Sequence, residues 1–140
     1  MSRTAFYDEL IADPDLNSLG LDENTIFHNF SSEERPTDDG PFIIIRWGTQ
    51  NPPMFNGEVK GVQNLRLWVH WPIQRTNDHI KLIEILDRID DLVKELRDIP
   101  GSDGYTLSFV DIGGRSEDLV DDGFGTITKN SEYYLHLSKS

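Results

Sequence analysis

The sequence predicts an α+β fold: a mostly antiparallel or mixed sheet of about five strands, one long helix packed across a face, and a short N-terminal helix. Three observations carry this. Several segments alternate apolar and polar residues with a period of two. The segment 77–101 follows helical spacing. No internal repeat is visible. A chain of 140 residues holds one domain with a real core, so 1–140 is read as a single domain.

Residues 3–12 read as a short helix, with Phe6, Leu10 and Ile11 toward one face and Pro14 as its stop. "NSLGLDENTIFHNF" is a loop leading to a short strand at 24–30. "SSEERPTDDG" (31–40) has the composition of an exposed connection. "PFIIIRW" (41–47) is a continuous β-branched run, which suits a strand covered on both faces. Residues 48–61 read as a long loop containing Pro52-Pro53, with Met54 and Phe55 apolar at its tip. "VQNLRLWVHW" (62–71) alternates, with Leu65, Leu67, Val69 and Trp71 on one face and Asn64, Arg66, Trp68 and His70 on the other. Pro72 ends it.

The strongest element is "NDHIKLIEILDRIDDLVKELRDIPG". Leu82, Ile85, Leu86, Ile89, Leu92, Val93 and Leu96 share one helical face. Asn77 suits the N-cap, Asp78 the positive helix start, and Pro100-Gly101 the stop. Glu84–Arg88 and Asp90–Lys94 are favourable i,i+4 pairs. "YTLSFVD" (105–111) is a strand with Tyr105, Leu107 and Phe109 inward. "SEYYLHLSK" (131–139) is the last strand, with Tyr133, Leu135 and Leu137 inward.

The net charge is −12, and the 13 Lys and Arg are scattered. Gripping nucleic acid requires a basic surface that releases counterions from phosphate, so duplex binding is not expected as a main function. No apolar run approaches the ~20 residues of a membrane span, and the first residues lack the apolar stretch of a secretory signal. Cysteine is absent, which removes disulfides, thiolate nucleophiles and cysteine-bound zinc.

His28, His70, His79 and His136 show no metal-binding spacing. Phosphate loops and the G-x-S-x-G elbow are missing. "RSEDLVDDGFGTITKN" (115–130) places Glu117, Asp118, Asp121 and Asp122 close together. A calcium loop starting at Asp111 fails, because Gly113 and Arg115 stand where oxygen ligands belong. The acids are therefore read as an exposed turn. Gly123 and Gly125 let the chain turn, and Leu119 and Val120 tie it to the core.

"NLRLWVHWP" followed by "DHIKLIEILDRIDDLV", then "YTLSFVD", "SEDLVDDGFGTIT" and "SEYYLHL", resembles the tail terminator proteins of long-tailed bacteriophages. The likeness covers about residues 60 to 140 and, more loosely, the element order; the 48–61 loop has no counterpart. It implies a virion protein without catalysis, cofactor or metal. Such proteins form a ring, typically of six, at the head-proximal end of the tail tube. The ring ends tube polymerisation and meets a head completion or connector protein, while DNA passes through its lumen without specific binding. Assembly would take place in the host cytoplasm.

Ring contacts are heterologous and need two different patches per subunit. Met54, Phe55 and Trp68 are the apolar candidates, and Asp118, Asp121 and Asp122 the electrostatic ones. Trp68 also fits a second core layer, and Met54-Phe55 a loop tucked on its own sheet. Two other readings stay open. One is another component of the same virion neck. The other is a small acidic enzyme or ligand-binding domain using Asp118, Asp121 and Asp122 with a distant histidine, which requires a pocket lined by those groups.

Overall fold

The computed structural model describes residues 3–29, 40–53, 60–73 and 78–139. Met54, Phe55 and Asn77, and nearly all of the 31–40 connection, lie outside the described residues. Helix α1 spans Arg3–Ala12 and α2 Pro14–Ser18. Strand β1 (Ile26–His28), β2 (Phe42–Asn51) and β3 (Gly61–Pro72) follow. Helix α3 (Ile80–Glu95) leads to β4 (Ile99–Pro100), β5 (Tyr105–Arg115), β6 (Leu119–Asp121) and β7 (Thr126–Lys139). The α+β class holds, and the sheet is mixed. Among the described residues it has seven strands in the order β1-β2-β3-β7-β5-β4, with β6 also on β7. Of the described pairings, only β1–β2 is parallel. The strands beyond the expected five are β4 and β6, of two and three residues, which are too brief to show a period.

Pro14 does end α1, but it also sits at the start of α2, where its missing N–H costs nothing. Asp13 is the N-cap, its carboxylate accepting from Leu16 N at 3.0 Å. The same carboxylate receives Arg88 of α3 through Nε at 3.0 Å and a terminal nitrogen at 2.6 Å. Arg88 thus turns to Asp13, the cap of α2, and to Asp15 within it, and this clamp joins the N-terminal helices to the long one. Asp90 likewise serves the tertiary fold. It takes Arg115 at 2.6 Å and the Tyr133 hydroxyl at 2.6 Å.

One face of α3 is buried through Leu82, Ile85, Leu86, Ile89, Leu92 and Val93. These pack with Phe6 and Leu10 of α1 and with Ile43, Ile45, Leu65, Leu67, Val69, Tyr133, Leu135 and Leu137 of the sheet. The helix is shorter than its pattern. It ends at Glu95, with Leu96 extended and Asp98 at a positive φ of 52°, and Pro100 belongs to β4.

β2 continues to Asn51, so the first four residues of the expected 48–61 loop are strand. Gly61 closes this connection. A Cβ there would lie 2.6 Å from Asn51 O and Pro53 Cδ, closer than any side chain tolerates. β5 departs from simple alternation. The register slips between Leu107 and Phe109 and again between Ile112 and Arg115. From Arg115–Ser131 to Leu119–Thr128, β5–β6 advances four residues against three on β7. Each slip is a bulge that inserts one residue and flips the faces. Phe109 therefore leaves the core face expected for it. Val110 is buried instead, and Phe109 stacks on His136 at 4.2 Å on the opposite side.

Candidate functional site

The face of the sheet away from α3 is built from the alternate residues of β2, β3 and β7. Arg46, Arg66 and Glu132 form one row across it, Ile44, Trp68 and Asn130 the next, and Phe42, His70 and Thr128 a third. Arg66 donates to Asn130 Oδ1 at 2.6 Å and pairs with Glu132 at 2.5 Å. Glu132 also accepts the Tyr134 hydroxyl, and this bond raises the phenol pKa. Arg46, directly opposite Arg66, is exposed. Trp68 is half-buried, with its Nε1–H buried and unpartnered among the described residues.

The turn at 122–125 folds Phe124 onto this face. Its ring meets Phe42 at 5.4 Å and His70 at 5.2 Å, both edge-on, while Phe42 and His70 stack at 4.7 Å. Gly125, at φ 67°, makes the reversal that allows this. Ile44, Arg46, Trp68, His70, Asp121 and Phe124 line a groove of about 680 Å³. A smaller one of about 300 Å³ continues past Arg46 and Trp68 to Asn64 and Glu132. Trp68 fits the second-layer reading. It belongs to a second apolar layer, and it forms a groove wall.

The acidic stretch is a hairpin, β6 against β7: Glu117 and Asp118 are exposed ahead of β6, Asp121 is half-buried at the end of β6, and Asp122 is exposed in the turn. Asp118 pairs with Lys129 at 3.0 Å, and that hydrogen bond lowers its pKa. Asp121 Oδ1 accepts from Phe124 N at 3.1 Å and so closes the turn. Asp122 is exposed. Val120 does not tie the hairpin to the core: it is 58% exposed, whereas Leu119 is half-buried. By register Leu119 lies opposite Thr128 on the open face, and Val120 lies opposite Ile127 on the other face. The triple change of Asp118, Asp121 and Asp122 to Asn is expected to leave the melting temperature nearly unchanged. Asn retains the turn acceptor, and an exposed ion pair contributes little. Calcium or magnesium should not raise it; a rise that vanishes in the triple variant would reveal a metal site instead.

The histidines are dispersed in their roles. His28 accepts Trp47 Nε1 at 3.1 Å if its Nδ1 is unprotonated. His79 Nε2 meets Leu119 O at 2.9 Å, and His136 Nε2 meets Asp111 at 2.8 Å. His70 is 2% exposed, with Nδ1 2.8 Å from Thr126 Oγ1. Burial pushes its pKa down to about 4, against a smaller upward pull from Asp121. Asp121 and His70 do share the groove, as the enzyme reading requires. Yet a general base works best with a pKa near the operating pH. A shielded imidazole held near 4 is a weak one. Among the described residues, no three His, Asp or Glu are placed to hold a metal ion.

Sequence reasoning missed Arg46 and Phe124. Both carried a local signal: a charge closing the apolar run "PFIIIRW", and an aromatic between two glycines in an acidic turn.

No known sequence family matches the chain, and no curated protein matches it. Among solved structures, a chain from the virion of a native gene transfer agent particle is similar in fold. Its TM-score is 0.68 at 12% identity, over 98% of this chain and 95% of that one. No described helix is long and apolar enough to cross a membrane.

Proposed function

We propose that this chain is a structural protein of a phage or phage-like virion, and within it a tail terminator. The observation that carries the reading is the fold shared with a gene transfer agent virion chain over nearly the full length of both. The sequence resemblance to tail terminators adds the position in the particle. On this reading the chain is a single domain, and six copies close into a ring at the head-proximal end of the tail tube. The ring ends tube growth and presents its other side to a head completion or connector protein. DNA passes through the lumen without specific binding, and acidic groups facing it, Asp118, Asp121 and Asp122 among the candidates, would repel phosphate. Met54 and Phe55 are proposed to dock on a neighbour or on the tube.

Purified protein examined by native mass spectrometry and negative-stain microscopy should show closed rings, six subunits each. Added to assembling tail tube protein, it should cap the tubes at one end and stop their growth. The fold likeness fits another neck component equally. Rings that leave tube growth unaffected but bind a connector protein would favour that reading.

A further inference from the structure

We propose that the groove between Arg46, Trp68 and Phe124 receives the β6 hairpin of a second copy of this chain, Val120 entering it and Asp122 meeting Arg46. The inference rests on the ring reading and names the surfaces through which neighbours would join.

The first argument is electrostatic. Arg46 and Arg66 are directly opposite across the β2–β3 ladder, and like charges so placed repel. Glu132 compensates Arg66. Arg46 has no carboxylate partner among the described residues, so its guanidinium is open to an anion from outside. Copies of a chain carrying −12 repel one another overall. A contact that places a cation of one copy against an anion of the next offsets that repulsion. Asp122 is the matching group: exposed at the tip of the hairpin, with no ion pair among the described residues.

The second argument is shape. The groove has an apolar floor of Ile44, Trp68 and Phe124, and its charged lining is Arg46 and Asp121. The hairpin is an apolar knob with an acidic rim. Val120 is 58% exposed between Asp118 and Asp122, and Ile80, 59% exposed, begins the helix whose preceding His79 is tied to Leu119 O. The third argument is direction. Asp121 lines the groove, so Val120, its neighbour in the strand, points to the other face of β6. One copy cannot fill its own groove with its own knob. A contact between unlike surfaces runs head to tail, and it closes into a ring when the rotation allows.

The test is a charge swap in the full chain, read by native mass spectrometry and by light scattering across a dilution series. Arg46→Glu and Asp122→Arg should each weaken association about tenfold or more. Combined in one chain, they should restore most of it. Both positions are exposed, so monomer melting should be unchanged in Asp122→Arg and no lower in the two variants carrying Arg46→Glu, which removes the like-charge pair with Arg66. Val120→Ser should weaken association without affecting melting. Wild-type rings that persist in both single variants, or a double variant no better than the singles, would overturn this interface and leave the ring reading standing. A wild type that remains monomeric at the highest soluble concentration would overturn both.

Discussion

Replacing Arg88 with methionine is expected to lower the unfolding free energy by roughly 3 kcal/mol, because it strands a buried carboxylate. The Asp13 side chain is 3% exposed and carries two hydrogen bonds from Arg88. Without the guanidinium it keeps one backbone N–H, from Leu16. Arg88 itself is 30% exposed, so solvent takes up part of the loss and the low end of the range applies. Changing Asp13 to Asn in the same chain should recover much of the deficit, since Asn still caps α2 and carries no charge to strand. A thermal or urea double-mutant cycle measures the coupling. Single variants that simply add would mean the clamp contributes nothing beyond its parts. The pH dependence has a definite sign. The hydrogen bond from Arg88 holds the Asp13 pKa below its ordinary value. The stabilisation is therefore complete above the unfolded pKa of about 3.9 and is lost as pH falls through the folded one. The Arg88 variant should lack that acid loss.

Acidification from pH 7 to 4 is expected to remove about 3 kcal/mol of stability through His70 alone. Its pKa is near 6.5 when unfolded and about 4 in the fold, and each unit of difference corresponds to about 1.4 kcal/mol. Burial lowers the folded value, so the unfolded chain binds the proton first. The stabilisation is then whole above pH 6.5, declines between 6.5 and 4, and is gone below. His70→Phe preserves the stack on Phe42 but cannot titrate, and it also leaves the Thr126 hydroxyl without its nitrogen partner. That variant should be less stable at pH 7 and much flatter across the window. A residual slope should survive through His28, whose pKa burial also lowers. Equal slopes in wild type and variant, measured by urea titration at stepped pH, would show that another group controls the acid response.

Much of the fold was legible because its elements repeat a period. The core faces of α3, β3 and the second half of β7 were assigned residue by residue from spacing alone, since six or more consecutive positions obey one rule. β4 and β6 were not legible. Two or three residues show no period, and pairing with β5 and β7 is what makes them strands. Of the four acids Asp122 was legible as a turn residue, but the strand that holds Asp121 and the open-face groove were not. The groove joins Ile44 and Arg46 to Trp68, His70, Asp121 and Phe124, which are distant in sequence and meet only when β2, β3 and β7 align.

By itself the sequence determined the α+β class, the apolar stripe of the long helix, the acidic balance and the absence of cysteine chemistry. These follow from composition and from periods of 3.6 and 2, which are local. Only the tertiary structure decided where charges and faces go. Arg88 and Asp90 have local i,i+4 candidates in Glu84 and Lys94, yet the fold turns them to Asp13 and to Arg115 with Tyr133. An exposed helical pair contributes only a few tenths of a kcal/mol. A buried carboxylate left unpaired costs several, so the tertiary partner wins. Phe109 and Val110 exchange faces for a similar reason. One bulge reverses an alternation that the sequence pattern carries through unbroken, and whether a bulge forms depends on the strand alongside.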